Sequence, residues 1–349
     1  MKRYGNLYPQ VWDMDNIREA HRNARRGKAH YKEVKMVDAD PEKYFSIIQE
    51  QLKAKTYKTS QYTVFTRRDQ GKERVIYRLP YFPDRIVHHC IMQVVEPIWT
   101  KVFIRDTYSS LKHRGVHDGV KRIHKAIRSN PEGTKYCLKM DVKKFYPSIN
   151  HSVLRSIVRK KIKDPDLLWI LDEAIKSNPE GVPIGNYLSQ YFGNLYLTDL
   201  DHWIKETLRC KYYYRYCDDL VILHHDKAFL HTARKRIEEK LGELKLILKG
   251  NWQVFPVESR GVDFLGYKFY QTHTLLRKRV AKQMVKRLTS VKNHVEHLDP
   301  IKLLSCVMSY HGWQKHANAW NLFTKHLPRD LVNTITHKCN KPTLKGIFE

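Results

Sequence analysis

Acidic residues are scarce in this chain: 36 Asp and Glu stand against 64 Lys and Arg, a formal charge of +28 over 349 residues. Such an excess repels itself in a compact state. It points to a polyanionic partner, with nucleic acid ahead of an anionic membrane. Long apolar runs are missing too. None approaches the roughly 20 residues of a membrane-spanning helix, and the opening MKRYGNLYPQVWDMDN has no apolar core of a signal peptide. The expectations are no membrane partner and a cytoplasmic location. The six cysteines, Cys90, Cys137, Cys210, Cys217, Cys306 and Cys339, form no C-x-x-C pair. That argues against a zinc ribbon or a dithiol redox centre, and their apolar settings read as buried free thiols. Histidine is plentiful, at 19 residues. Yet VHH at 87–89 and LHH at 223–225 belong neither to H-E-x-x-H nor to an H-x3–5-H pair with cysteines, so a histidine metal site is not expected. Internal repeats, low-complexity tracts and long linkers are absent from the sequence.

What is present suffices for one large domain or a few subdomains, with 42% hydrophobic residues. Residues 15–55 read as helical, with a basic patch, RNARRGK, at 22–28. Residues 56–80 alternate like two strands around the turn DQGK. From Asp84, Ile86, Val87, Cys90, Ile91, Val94 and Val95 recur at helical spacing. A basic loop, SSLKHRGVHDG, and a basic helix over 118–129 follow. YCLKMDV, 136–142, reads as a buried strand ending at Asp141. Helices are expected over 151–178, after the loop GVPIGN within 181–205, and over 227–243. Residues 212–224 read as strand, tight turn and strand, and two short strands fit near 252–257 and 262–270. From about Arg277 the chain reads as helical, with Val280, Met284, Leu288, Val291, Val295 and Leu298 in one apolar stripe. Mixed strands and helices followed by a helical part indicate an α+β core with a helical appendage.

Two adjacent carboxylates stand out in RYCDDLVILHH, residues 215–225. Asp218 and Asp219 repel each other inside an apolar run, and burying them costs several kcal/mol unless a positive charge compensates, on the order of 2–7 kcal/mol for a polar group alone. A second carboxylate, Asp141, ends the upstream apolar strand. If the two units are sheet neighbours, Asp141 and Asp218 converge. Clustered carboxylates form a hard-oxygen cage for Mg²⁺. Two such ions about 3.5–4 Å apart clamp an in-line displacement at phosphorus. The competing reading is that Asp218 and Asp219 serve only a hairpin turn, where Asp is common.

The motifs resemble those of reverse transcriptases. YCDD, Tyr216–Asp219, is similar to their Y-x-D-D motif, and DVKKFYPSI, Asp141–Ile149, to their first catalytic-aspartate motif. ERVIYRLPYFPDRIVHH, 73–89, resembles the fingers segment of bacterial members, and FLGY, Phe264–Tyr267, their primer-grip hairpin. SYHGWQKHANAWNLF, 309–323, resembles the thumb end of diversity-generating retroelement enzymes. The matches occur in order over most of the chain. The resemblance implies a right-hand polymerase of α+β class, with a ferredoxin-like palm of antiparallel sheet plus helices and a helical thumb. Its divisions would be 1–135 for the fingers with an N-terminal helical region, part of the palm interleaved; 136–270 for the palm; and 271–349 for the thumb and C-terminal tail.

By position the resemblance makes Asp141 and Asp218 the principal ligands of two Mg²⁺ ions, with Mn²⁺ as a substitute. Asp219 is a weaker partner, and the Val142 carbonyl adds a ligand. Tyr146 matches the steric gate that excludes a 2′-hydroxyl; an ordinary packed aromatic is the alternative. Arg74 matches a fingers residue over the triphosphate, where a guanidinium fork suits phosphate oxygens, with Arg67 as a second contact. Both could instead be solvated hairpin residues. Lys249 is a candidate acid for the pyrophosphate, with Lys245 its competitor and a plain surface lysine as the bland reading. Lys278, Lys282, Lys286 and Arg287 are candidates for nucleic-acid backbone contact, against a solvated helix face.

The loop PIGNYLSQ, Pro183–Gln190, departs from the group II intron form. Ile184 replaces its glutamine and Gln190 its proline, as in the diversity-generating type, whose copying is error-prone. Ile184, Gly185 and Gln190 therefore join the nucleotide-binding candidates. The implied partners are a structured non-coding RNA template, a cDNA or primer strand, dNTPs and an accessory basic protein. Beyond the thumb motif no zinc-ligand or RNase H carboxylate set follows, so integration and template degradation are not expected. Alternatives are an anti-phage defence enzyme of the same family, a non-catalytic RNA-binding protein that kept the fold, and an RNA-templated RNA polymerase, against which Tyr146 argues.

Overall fold

Strand β1, Thr63–Asp69, pairs antiparallel with β2, Lys72–Arg78. Their join falls outside the described part of the chain, because the structure, a computed structural model, describes residues 2–69 and 72–339. Gln70 and Gly71 of the expected DQGK turn and the last ten residues of the expected C-terminal tail therefore lie outside it. The N-terminal helical stretch divides into Met14–Ala24, Lys32–Ala39 and Pro41–Lys53. Local chemistry sets those breaks. The Asp13 carboxylate accepts from the Asp15 and Asn16 amides, and Asp40 caps the third helix, which starts at a proline with no amide to satisfy. The buried Asp164 caps Pro165–Lys176 and also accepts from the Leu7 and Tyr8 amides at 2.5 and 2.9 Å, pinning the short helix Tyr8–Val11 to the middle of the chain.

A second sheet forms the centre. Its strands are β3 (Tyr136–Asp141), β4 (Tyr212–Tyr216), β5 (Asp219–His224) and β6 (Gln253–Pro256), in the order β4-β5-β3-β6. Every neighbouring pair is antiparallel. Helices fill the β3–β4 connection, and one helix, Lys227–Glu243, joins β5 to β6. Counted from β3, the spatial order is 2-3-1-4, the ferredoxin-like arrangement expected from the motifs. The apolar helix Ile86–Trp99 is buried on nearly all sides in the larger core, against Met14–Ala24.

A third sheet, β7 (Val262–Phe264), β8 (Tyr267–Phe269) and β9 (Thr274–Leu276), belongs to a second hydrophobic core with the helices Lys278–His294, Pro300–Gln314, Trp320–His326 and Arg329–Cys339. The β7–β8 turn is Leu265–Gly266, both at positive φ, +54° and +86°, as a two-residue hairpin turn requires. The Trp313 ring closes on this turn: a Cβ on Gly266 would lie 2.7 Å from it. Trp313 also stacks on Tyr267 with ring centroids 5.1 Å apart, and its carbonyl accepts from the Tyr267 hydroxyl at 3.0 Å. Gly266→Ala is therefore expected to destabilise this core by roughly 1–3 kcal/mol through overpacking and turn strain; thermal unfolding that stays at the wild-type midpoint would contradict it. Among the described residues no helix is long and apolar enough to cross a membrane.

Candidate active site

The sheet register carries the carboxylates together. β3 ends on Asp141, which stands directly across from Asp219, the first residue of β5. Between β4 and β5 lies the two-residue turn Cys217–Asp218, with Cys217 in the left-handed region at φ +53°. The Val142 amide donates to the Asp218 carbonyl at 3.2 Å, so the turn is stitched to the end of β3. From the other side the Lys143 amide donates to the Ile247 carbonyl at 2.8 Å and the Lys249 amide to the Asp141 carbonyl at 2.9 Å. Asp141 is thus gripped between the turn that bears Asp218 and the segment that leads into β6.

Two ammonium groups face these acids. Lys249 Nζ donates to Asp141 Oδ1 at 2.6 Å, and Lys139 Nζ lies 3.4 Å from Asp219 Oδ2. The plain surface reading of Lys249 does not hold. The competing Lys245 is exposed beyond the helix end and is not among the residues lining the cleft. Lys139 escaped the sequence reading, although strand alternation puts it on the same face as Asp141, two residues on. The pairing is incomplete: Asp219 Oδ1 is buried without a hydrogen-bond partner.

Burial pushes the Asp218 carboxyl up to about 6, helped by the negative charge of Asp141. Asp219 is also raised to about 6, chiefly by burial; Lys139 pulls it down and Asp141 pushes it up. Unfolded aspartate ionises near pH 3.9. The folded state therefore holds protons that the unfolded state releases between about pH 4 and 6, so the cost of ionising the pair is complete above that range. In chelator-treated buffer the wild type is expected to gain more thermal stability than Asp218→Asn as pH falls from 7 to 5. Parallel melting curves across that range would contradict this.

The donor set suits a hard divalent cation: carboxylate oxygens, one of them buried and unpartnered, at sites whose ionisation is penalised until a cation compensates. Among the described residues no group of three or more His, Cys, Asp or Glu side chains closes tightly enough to hold an ion unaided. A Mg²⁺ ion bound there would take waters and substrate phosphates for the rest of its shell. Asp141 and Asp218 would be the principal holders and Asp219 a further one. Val142 is buried beside them.

These acids open into a cleft of about 1970 Å³. It exceeds the roughly 300–1,000 Å³ of small-molecule pockets and reaches from the β1–β2 hairpin to the helix Pro300–Gln314. Arg74, Tyr146, Ile184, Leu265 and Gly266 line it. Tyr146 sits with its hydroxyl 3.7 Å from Cys217 Sγ, and its ring packs where a Cβ on Gly193 would come within 3.1 Å. Ile184 is tied to β2 by its carbonyl, which accepts from the Tyr77 amide at 2.9 Å. Gly185, at φ +124°, follows so close that a Cβ there would meet the Tyr77 carbonyl at 2.6 Å.

Other candidates fall elsewhere. Gln190 is exposed on the helix Tyr187–Tyr196 and does not line the cleft. Arg67 stands across from Arg74 on the exposed hairpin but is likewise outside the lining. Phe264 and Tyr267 are buried in the second core. Of the four basic residues expected at the nucleic-acid backbone, Arg287 lines the cleft; Lys278, Lys282 and Lys286 are exposed outside it. Arg279 and Gln283, on the same helical stripe as Arg287, also face the cleft.

The sequence model of the family described as "Reverse transcriptase (RNA-dependent DNA polymerase)" matches residues 52–269. The chain is 25% identical over 260 residues to Protein YkfC of Escherichia coli K12, a match covering 62% of this chain and 66% of that protein. It is 23% identical over 177 residues to the group II intron-encoded protein LtrA of Lactococcus lactis, covering 48% of this chain and 28% of LtrA. The chain therefore spans less than two thirds of either relative in its matched part. Among solved structures, apo telomerase from Candida tropicalis has a similar fold, with a TM-score of 0.52 at 13% identity over 83% of this chain and 59% of that one.

Proposed function

Because the chain belongs to the reverse transcriptase family, we propose that it is an RNA-directed DNA polymerase that extends a primer 3′-end on an RNA template with dNTPs. The observation that carries this is the placement of Asp141 across from Asp219, with Asp218 on the turn stitched to Val142, all three lining a cleft of about 1970 Å³. Bound there, two Mg²⁺ ions, or Mn²⁺ in their place, would supply activation of the primer hydroxyl and charge neutralisation at the leaving pyrophosphate. The chain's own residues do the rest. The three carboxylates would hold the cations. Arg74 presents a guanidinium to the triphosphate from the β1–β2 hairpin. Tyr146 forms the wall beneath the sugar. Lys249, seated on Asp141 in the free protein and released when cations take that carboxylate, would serve as proton donor to the leaving group.

The finer reading is an error-prone enzyme of a diversity-generating retroelement, copying a structured non-coding RNA with an accessory basic protein as partner. It is supported by Ile184 in the cleft wall, where an apolar branched group replaces an amide able to orient a nucleotide. Ile184→Gln is expected to lower misincorporation about fivefold, the worth of one net hydrogen bond of ~1 kcal/mol. Unchanged error frequencies in sequenced cDNA would discard the role given to Ile184, and a template and variable repeat pair beside the gene, or its absence, separates the diversity-generating role from the defence role. The polymerase reading is tested by primer extension on RNA and DNA templates with dNTPs or rNTPs. Extension on RNA with dNTPs supports it, and RNA binding without extension would leave the non-catalytic RNA-binding reading.

A further inference from the structure

Arg215 lies two residues before the Cys217–Asp218 turn, and it is fully buried, as is Asp201. Its Nε donates to Asp201 Oδ1 at 2.8 Å and its Nη2 to Oδ2 at 2.6 Å. Its Nη1 donates to Asn194 Oδ1 at 3.2 Å and to the Cys217 carbonyl at 3.0 Å. The Tyr213 hydroxyl adds a third donor to Asp201, at 2.7 Å, and Asn194 Nδ2 is itself fixed on the Ser109 carbonyl at 2.8 Å. Well-packed apolar residues serve stability as well as a buried ion pair or better, so stability alone does not account for this one. The bond to the Cys217 carbonyl offers another account.

Cys217 holds a left-handed backbone, a conformation that carries a steric cost for any residue with a Cβ. The peptide after it is held by Arg215. The next peptide, beyond Asp218, is held by the Val142 amide on the Asp218 carbonyl. Both peptide planes that bound Asp218 are thereby fixed, one by the neighbouring strand and one by a guanidinium from below.

We infer that Arg215, seated on Asp201 and Asn194, is a positioning residue that holds the Cys217–Asp218 peptide so that the Asp218 carboxylate faces Asp141. The inference rests on the polymerase reading of the site and deepens it. Arg215 touches neither substrate nor cation; it acts through the turn.

The test removes the whole polar unit without orphaning a charge: Arg215→Met, Asp201→Leu and Tyr213→Phe together. Thermal unfolding checks the fold. Primer–template Kd, dNTP Kd and the single-turnover incorporation rate are measured on the full chain, and Mn²⁺ affinity is measured by electron paramagnetic resonance without nucleic acid. The folded triple variant is expected to keep its primer–template Kd, to lose about 10²-fold in incorporation rate, the scale of an ångström-level misplacement, and to bind Mn²⁺ several-fold more weakly. A folded variant with wild-type rate and Mn²⁺ affinity overturns the inference. If the triple variant does not fold, Arg215→Lys decides: one ammonium cannot span Asp201 and the Cys217 carbonyl, so the same loss is expected, and a wild-type rate overturns the inference. An inactive wild type counts against the polymerase reading instead. The Mn²⁺ comparison then judges Arg215 by itself, with equal affinities overturning its role.

Discussion

Asp218→Asn is expected to lower nucleotide incorporation about 10³-fold while leaving RNA binding and the fold intact. Losing one preorganised electrostatic group from a reaction centre costs roughly 10²–10³-fold, and a carboxylate that holds a cation belongs at the upper end. The fold is expected to tolerate the change because the charge is unwelcome there: burial and Asp141 both disfavour it. The hydrogen bond that stitches the turn to β3 uses the Asp218 carbonyl, which the substitution leaves alone. The expected signature is therefore paired: activity lost, and a melting temperature in chelator at pH 7 equal to or above that of the wild type. Retained incorporation would remove Asp218 from the reaction. A collapse in stability would mean that the carboxylate is structural.

Tyr146→Ala is expected to have the next largest effect, on choice of sugar rather than on rate. The ring lines the cleft beside Cys217 and is supported from behind by Phe145, with centroids 5.3 Å apart, and by the helix bearing Gly193. A wall braced in this way does not yield to an added hydroxyl. Overpacking costs about 1–3 kcal/mol, so discrimination against rNTPs is expected to fall roughly 10- to 100-fold in Tyr146→Ala. Competition between dNTP and rNTP in single-turnover extension measures it. An unchanged ratio would return Tyr146 to the role of an ordinary packed aromatic.

Strand ends and hairpins near the site were legible because their signals are local. An apolar run stops at Asp141, another restarts after Asp219, and the helix Lys227–Glu243 fills its expected span. The antiparallel neighbourhood of β3 and β5 then brings Asp141 to Asp219 without further information. What stayed hidden was long-range and polar. Lys249 and its partner Asp141 are 108 residues apart, and nothing in the helical pattern before Lys249 distinguishes it from Lys245. Likewise an apolar stripe through Met284, Leu288 and Val291 shows which side of a helix is buried, and those three are. It leaves open which polar flank meets the cleft, and the flank is the one with Arg279 and Arg287 rather than Lys278, Lys282 and Lys286. Arg215 was hidden differently: nothing in the sequence pairs its charge with Asp201, on the helix Thr198–Glu206, which neutralises it. The three-residue strand β9 is too short for its alternation to register.

Anomalous diffraction from Mn²⁺, in crystals of the protein with an RNA template, a primer lacking its 3′-hydroxyl and an incoming dNTP, tests the centre most directly. The expected result is two Mn²⁺ peaks about 3.5–4 Å apart, both within bonding distance of Asp141 and Asp218, with Lys249 and Lys139 displaced from the carboxylates. Mn²⁺ bound elsewhere, with both lysines still seated on Asp141 and Asp219 beneath the bound duplex, would contradict the account.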